Sequence, residues 1–345
     1  MKKFFGNPHI ALTLDQMIER RRIPQTLLFS GPEGVGKATL ARIFAARLLD
    51  CDLQKLDQDD LSLEANQTRI TEREKWTSDK RNEDPLVFSS YSDFLTFAPD
   101  GPLRQLTIQQ MRLLKERASF KPLKGDWRVF LIDSIDRANE QAANSLLKTL
   151  EEPPSHLLLI LTTRNAYDLL PTIRSRTVPF HFSRLAEDEM KTFLQEYKGE
   201  HAVDQPDLRR RLAEGSPGLA VSIDLEAHGR RRTAMLALLK VASGTESFGS
   251  WMKHSDSIAM RRTEKFESYL EVLYGLIEDV VRLGNGHDLI RNEDVRKELE
   301  GLAQRVSFSW LRAAVAKVDE LVELARRNIQ KSIALDAFAV QLRKR

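Results

Sequence analysis

The stretch Thr26-Leu27-Leu28-Phe29-Ser30-Gly31-Pro32-Glu33-Gly34-Val35-Gly36-Lys37-Ala38-Thr39-Leu40 decides the fold. It opens as a short apolar run over 26–30 and passes through a glycine-rich loop over 31–37. It then continues over 38–49 with Leu40, Ile43, Phe44 and Leu48 on one helical face. Strand, loop, lysine and helix in that order is the setting in which a phosphate-binding loop works. Backbone N–H groups curl around phosphate oxygens, the helix N-terminus favours negative charge, and the lysine reaches the outer phosphates. Glycines let the backbone come close. The bland alternative is an ordinary strand–helix turn, against which the lysine and both flanks weigh.

Outward from the loop the same alternation continues. Residues 129–132 (VFLI) and 157–161 (LLLIL) are continuous apolar runs, as expected of strands buried on both faces of a parallel sheet. Between them 139–152 reads as a helix that Pro153-Pro154 ends, and 12–22 reads as another, near the N-terminus. This order predicts an α/β domain, a parallel sheet flanked by helices. Residues 50–84 differ: about half are charged and strong periodicity is missing, which predicts a solvated insertion or loop, with a short charged helix as the alternative for part of it. After Arg184 strand signals fade. Two short helices are expected over 187–197 and 205–214, then Gly215-Ser216-Pro217-Gly218, and nearly continuous helix beyond Gly244. Phe266, Leu270, Leu273, Ile277 and Val281 form one stripe, and Leu311, Val315, Val318, Val322 and Ala325 another. Such stripes make the core of a helical bundle or face partner subunits.

Composition sets outer bounds. The chain has 345 residues, enough for two or three domains at roughly 150 residues each. Lys plus Arg number 53 against 50 Asp plus Glu, and a net charge of +3 excludes a polybasic protein. Apolar residues at 41% and charged residues at 30% suit a soluble globular chain. Cys51 is the one cysteine, so neither an intramolecular disulfide nor a multi-cysteine metal site can form. Met1-Lys2-Lys3-Phe4-Phe5 begins faintly like a signal peptide, but Gly6-Asn7-Pro8-His9 interrupts it. No apolar stretch approaches the roughly 18 residues of a membrane span. The expected compartment is the cytoplasm, with no membrane partner.

The phosphate loop is incomplete. A Ser or Thr directly after the lysine would ligate Mg²⁺; Ala38 stands there, and the shift to Thr39 turns a side chain by about 100°. Asp133, after the run 129–132, sits where a Walker B aspartate would hold Mg²⁺. The next residue is Ser134 rather than a glutamate that would orient water, and Asp136 follows three positions on.

These residues together resemble the delta-prime subunits of the bacterial DNA polymerase III clamp loader, within the AAA+ family. The strongest tracts are 24–45, 133–154 (DSIDRANEQAANSLLKTLEEPP) and 170–176 (LPTIRSR); 97–111 (FAPDGPLRQLTIQQM) and 328–335 are looser matches. The resemblance implies three domains: a RecA-like AAA+ domain over 1–184 with 50–84 in place of a zinc module, a helical lid over 185–243, and a helical collar over 244–345. It implies a five-subunit ring with gamma/tau and delta subunits that places a sliding clamp on primed DNA. It implies Arg176 as an arginine finger offered to a neighbour's nucleotide, with Thr177 where relatives often have cysteine. Gly31, Pro32, Glu33, Gly34, Val35, Gly36, Lys37, Ala38, Thr39, Asp133, Thr162 and Thr163 are the implied nucleotide contacts, the two threonines lying at the sensor 1 position. ATP or ADP is the implied cofactor, with Mg²⁺ at Asp133 weakly placed. Gly218 falls where active relatives carry a sensor 2 arginine, and zinc is not expected, because the four-cysteine set is missing.

The resulting expectation is a largely non-catalytic scaffold subunit with weak or no ATPase of its own. The alternatives are a hydrolysing gamma/tau-like motor subunit and, more remotely, a free-standing P-loop enzyme. Lys115, Arg117, Lys121 and Lys124 form a basic group that suits a phosphate backbone or simply a solvated face.

Overall fold

The computed structural model describes residues 4–197, 204–261, 264–325 and 330–343. They divide into two compact units. One holds the described residues of Met1–Val203 with Glu214–Leu219, the other those of Asp204–Ala213 and Ala220–Arg345.

The first unit runs through α1 (Pro8–Glu19), β1 (Thr26–Ser30), α2 (Lys37–Leu48), α3 (Leu53–Asp57), α4 (Glu64–Arg73), α5 (Ser78–Glu83), β2 (Phe88–Tyr91), β3 (Phe94–Phe97) and α6 (Ile108–Ala118). It continues through β4 (Arg128–Ile132), α7 (Glu140–Glu151), β5 (Leu157–Thr163), α8 (Pro171–Arg174), β6 (Val178–His181) and α9 (Glu187–Glu196). The six strands lie in the order β2-β3-β4-β5-β1-β6, parallel except for the β2–β3 pair. Side chains alternate across the sheet. Leu27, Phe29, Val129, Leu131, Leu158 and Ile160 pack with Leu14 of α1 and Leu40 and Phe44 of α2. Leu28, Phe130, Ile132, Leu159 and Leu161 pack on the other face with Met111 and Leu114 of α6 and Leu146 and Leu150 of α7. The continuous apolar runs are thus strands covered on both faces.

Strands β2, β3 and β6 were not anticipated. The first carries two exposed serines. The last, VPFH, buries Phe180 alone and holds a proline at the sheet edge, where a missing N–H is tolerated.

The charged segment 50–84 is largely exposed, as an insertion should be, but more ordered than a loop: it folds into α3, α4 and α5, and a few buried charges tie it down. Arg42 of α2 is buried and pairs with Asp57 and Asp60. Arg73 of α4 is buried and grips the buried Asp100 bidentately, Nε to Oδ1 at 3.0 Å and Nη2 to Oδ2 at 2.8 Å, while its guanidinium lies 4.4 Å from the Trp76 ring. Asp59 accepts from the Ser90 N–H and hydroxyl, tying the segment to β2. The charges escape a periodicity reading because they serve as internal partners. Among the described residues no group of three or more His, Cys, Asp or Glu is placed to hold a metal ion.

Beyond α9 come α10 (Pro206–Ala213), α11 (Pro217–Ser222), α12 (Leu225–Ala242), α13 (Phe248–Met260), α14 (Phe266–Gly284), α15 (Arg296–Arg305), α16 (Phe308–Ala325) and α17 (Lys331–Arg343). Both expected stripes join one helical core: Phe266, Leu270, Leu273, Ile277, Leu311 and Val318 are buried, with Val281, Val315, Val322 and Ala325 packed against them. Met235, Leu238 and Leu239 of α12 belong to the same core, which therefore runs through position 243. The tract 328–335 lies partly outside the described residues. No described helix is long and apolar enough to cross a membrane.

Two consequences follow from buried charge. Arg73→Ala leaves Asp100 buried without its partner, and is expected to cost about 3–5 kcal/mol in urea unfolding; a loss below about 1 kcal/mol would show that the pair does not hold the insertion. His228 of α12 has its pKa lowered to about 4 by burial and by the neighbouring Arg232 and Arg231, with Asp294 opposing. The unfolded chain then binds the proton more readily, so stability is intact above about pH 6.5 and falls as pH drops toward 4. About 2 kcal/mol should be lost between pH 7 and 5. Melts of His228→Gln should lack that part of the slope.

Candidate nucleotide site

The parallel neighbours β1, β5 and β4 bring three chain segments together at their C-terminal ends, where ligands bind in open α/β sheets. The loop after β1 starts from Gly31, whose N–H donates to the Thr163 carbonyl at 3.2 Å. Gly31 has φ 146°, and a Cβ there would come 2.3 Å from the Phe182 carbonyl oxygen, so the position admits no side chain. Val35 is fully buried and anchors the loop. Glu33, at its exposed tip, forms an ion pair with Arg164. Gly36, at φ 92°, caps α2, and a Cβ there would meet the Phe4 ring at 2.9 Å.

Lys37 is the first residue of α2. Its Nζ donates to the carbonyls of Gly31 at 2.5 Å and Pro32 at 2.6 Å. Burial pushes the ammonium below its ordinary pKa; Asp133, Glu33 and Asp136 oppose that fall and Arg164 reinforces it. The cation therefore sits among the groups that sequence reasoning assigned to this site. Ala38 packs against the core and carries no oxygen. Thr39 follows on α2, half-buried.

Asp133, at the end of β4, is engaged within the protein. Its Oδ1 accepts the Thr162 hydroxyl at 2.7 Å, and its Oδ2 accepts the Ser134 hydroxyl at 3.1 Å. Thr162 Oγ1 in turn accepts the Ser134 N–H at 2.9 Å. Ser134 takes a left-handed conformation, φ 55° and ψ 56°, uncommon outside glycine. The three residues make a small closed set across the ends of β4 and β5. Thr163, in contrast, turns its hydroxyl to the Asn165 carbonyl at 3.1 Å, so of the two threonines Thr162 is the one beside Asp133. Asp136 keeps one carboxylate oxygen without a partner.

Gly218 also reaches the loop. Its N–H donates to the Gly34 carbonyl at 2.8 Å, and a Cβ on Gly218 would lie 3.0 Å from Gly34 Cα and O. An arginine at this position would force the two backbones apart. Arg176 lies with α7 and α8 instead: Nη2 pairs with Glu151 at 2.7 Å, and Nη1 donates to the Thr172 carbonyl at 2.9 Å. The neighbouring Arg174 lies over the Tyr167 ring at 5.2 Å. Arg164 escaped the sequence reading, although its position directly after Thr163 places it next to the loop once β5 is known to pair with β1.

A glycine-rich loop ending in lysine on a mostly parallel sheet, with an acidic residue at the end of one strand and threonines at the end of the next, is the arrangement of an AAA+-type domain. Residues 6–186 match the family model described as DNA polymerase III, delta subunit, and the chain belongs to that family of clamp-loader-related proteins. It is 29% identical over 340 residues to DNA polymerase III subunit tau of Escherichia coli, covering 95% of this chain and 47% of that protein. It is 29% identical over 232 residues to subunit gamma/tau of Mycobacterium tuberculosis, covering 63% and 35%. The chain thus spans less than half the length of these relatives. A gamma subunit-related protein of Thermotoga maritima aligns over 97% of this chain and 99% of its own, at 17% identity and a TM-score of 0.46.

The closed set around Asp133 yields a test. Thr162→Val removes one hydroxyl that both donates to Asp133 and accepts from Ser134, and should cost about 2 kcal/mol in urea unfolding. An unchanged midpoint would mean that the two groups find other partners.

Proposed function

We infer that this chain is a delta-prime-like clamp-loader subunit, a largely non-catalytic AAA+ scaffold that offers Arg176 to the nucleotide of a neighbouring gamma or tau subunit. The observation that carries the reading is the hydrogen-bonded set Asp133–Thr162–Ser134 combined with Ala38. Phosphoryl transfer needs a placed Mg²⁺ and an oriented water. Here the helix position that should ligate the metal is alanine, the acidic ligand is engaged by two hydroxyls, and serine replaces the water-orienting carboxylate. The loop, Lys37 and Thr162 still support binding of ATP or ADP by Gly31–Gly36 and the first turn of α2.

Arg176 supports the finger role through its accessibility. Its pair with Glu151 is at the surface, and such pairs contribute only about 0–1 kcal/mol, so the guanidinium exchanges partners at little cost. The same reading divides the chain at 184 and 243 into AAA+ domain, lid and collar, with α12 packing on into the collar. It makes the partners gamma/tau and delta subunits in a five-membered ring, with the sliding clamp and primed DNA met through the assembly in the cytoplasm. The identity to tau and gamma/tau subunits favours a second reading, a hydrolysing motor subunit.

Two measurements separate them. The chain alone should hydrolyse ATP very slowly; robust turnover abolished by Lys37→Ala would favour the motor. In a complex reconstituted with gamma/tau and delta, Arg176→Ala should lower clamp- and DNA-stimulated ATPase while assembly persists. Such fingers supply about 10³–10⁵ in rate at the site they serve. Unchanged turnover in a stoichiometric complex would remove the finger role.

A further inference from the structure

The loop 31–37 is a charge problem. A nucleoside polyphosphate is strongly anionic, and Mg²⁺ ordinarily takes up part of that charge. The side chains here do not fit the metal. Ala38 has no ligand atom. Both carboxylate oxygens of Asp133 accept hydroxyl hydrogens, at 2.7 and 3.1 Å. Asp136 has one unpartnered oxygen, with no hydroxyl at position 38 to share a metal with it.

A second cation stands at the loop. Arg164 follows the strand residue Thr163, whose carbonyl accepts the first N–H of the loop, so the β5 end and the loop start are tied together. Its guanidinium pairs with Glu33, the third residue of the loop. Both side chains are more than half exposed, at 54% and 57%, so the pair is weak and open to exchange. A guanidinium fork matches phosphate oxygens as well as it matches a carboxylate, and a polyphosphate brings more negative charge than Glu33 alone. Lys37 and Arg164 are also close enough that each charge acts on the other. Two like charges at a loop of backbone N–H groups are relieved by an anion between them.

We propose that this loop binds nucleotide polyphosphate without a divalent cation, with Arg164 releasing Glu33 to pair with phosphate and supplying charge that a metal would otherwise supply. The inference rests on the reading of 31–37 as a nucleotide site and goes beyond it in naming the cation. It also gives Glu33 a role, as the anion that holds Arg164 until phosphate displaces it.

Calorimetric titration of the full chain with ATP and with ADP, each in MgCl₂ and in EDTA, tests it. Affinity should change less than about threefold between the two buffers. Arg164→Ala should weaken binding about tenfold or more in both, the range expected for one charge-assisted contact. Arg164→Lys should fall between, and Glu33→Gln should bind at least as tightly as wild type. Unaltered melting temperatures would assign these effects to the site rather than the fold. A tenfold loss in EDTA, or wild-type affinity in Arg164→Ala, overturns the metal-free site while leaving the loop a nucleotide site. Absence of binding in every buffer, with Lys37→Ala no different from wild type, overturns both.

Discussion

The parallel pairing of β1 with β5 and of β5 with β4 is the constraint from which the site descends. Registers of Ser30 with Thr163 and of Ile132 with Leu161 set three strand ends level. The loop, Thr162 and Asp133 then meet with no contribution from sequence proximity. The N–H of Gly31 extends the β1–β5 ladder by one bond before the chain turns away. A one-residue slip would invert the apolar faces of a strand buried on both sides and would separate Thr162 from Asp133. The two-sided core therefore fixes the position of polar groups that contribute nothing to it.

The polar groups at those strand ends are spent on one another. Asp133, Thr162 and Ser134 satisfy each other's hydrogen bonds, and the left-handed turn at Ser134 brings its N–H to Thr162. An arrangement of this kind stabilises the ends of two interior strands, since an unmet buried acceptor costs about 1–3 kcal/mol. It also makes those ends harder to use for chemistry, because a metal or a water must compete with bonds already formed. The contacts of Gly218 with Gly34 have the same character, close backbone packing where an arginine would need room. The segment α3–α5 repeats the theme: Arg42 and Arg73 hold it by buried ion pairs, a cross-link made of charge in a chain with a single cysteine.

Much of this was legible in the sequence, and what was not has physical reasons. The runs 26–30, 129–132 and 157–161 announced strands because both their faces are covered, and Gly31 to Lys37 announced the loop because few other roles need that spacing. Strand β6 was hidden because an edge strand buries one residue in four, and β2 because its serines face outward. The three helices of the insertion are only partly legible, because arginines that pair inside look, in one dimension, like arginines in water. Which of Thr162 and Thr163 meets Asp133 is not readable until β5 has a position in space: strand alternation sends them to opposite faces, and only one of those faces meets Asp133.

Arg164 and Arg176 show why such assignments need geometry. Both are arginines near the end of a strand or short helix, both are partly exposed, and both pair with a glutamate of their own chain. Their partners differ in consequence. Glu33 belongs to the glycine-rich loop, so breaking the Arg164 pair frees a cation beside that loop. Glu151 belongs to α7, and Thr172 to α8, so breaking the Arg176 pair releases a cation that has no polar contact with that loop. The first arrangement suits compensation of charge within one subunit; the second suits a charge delivered to another. On the proposed reading, a chain that retains the glycine-rich loop while its metal ligands are absent or engaged, and keeps an exposed arginine elsewhere, would separate holding a nucleotide from helping to cleave one.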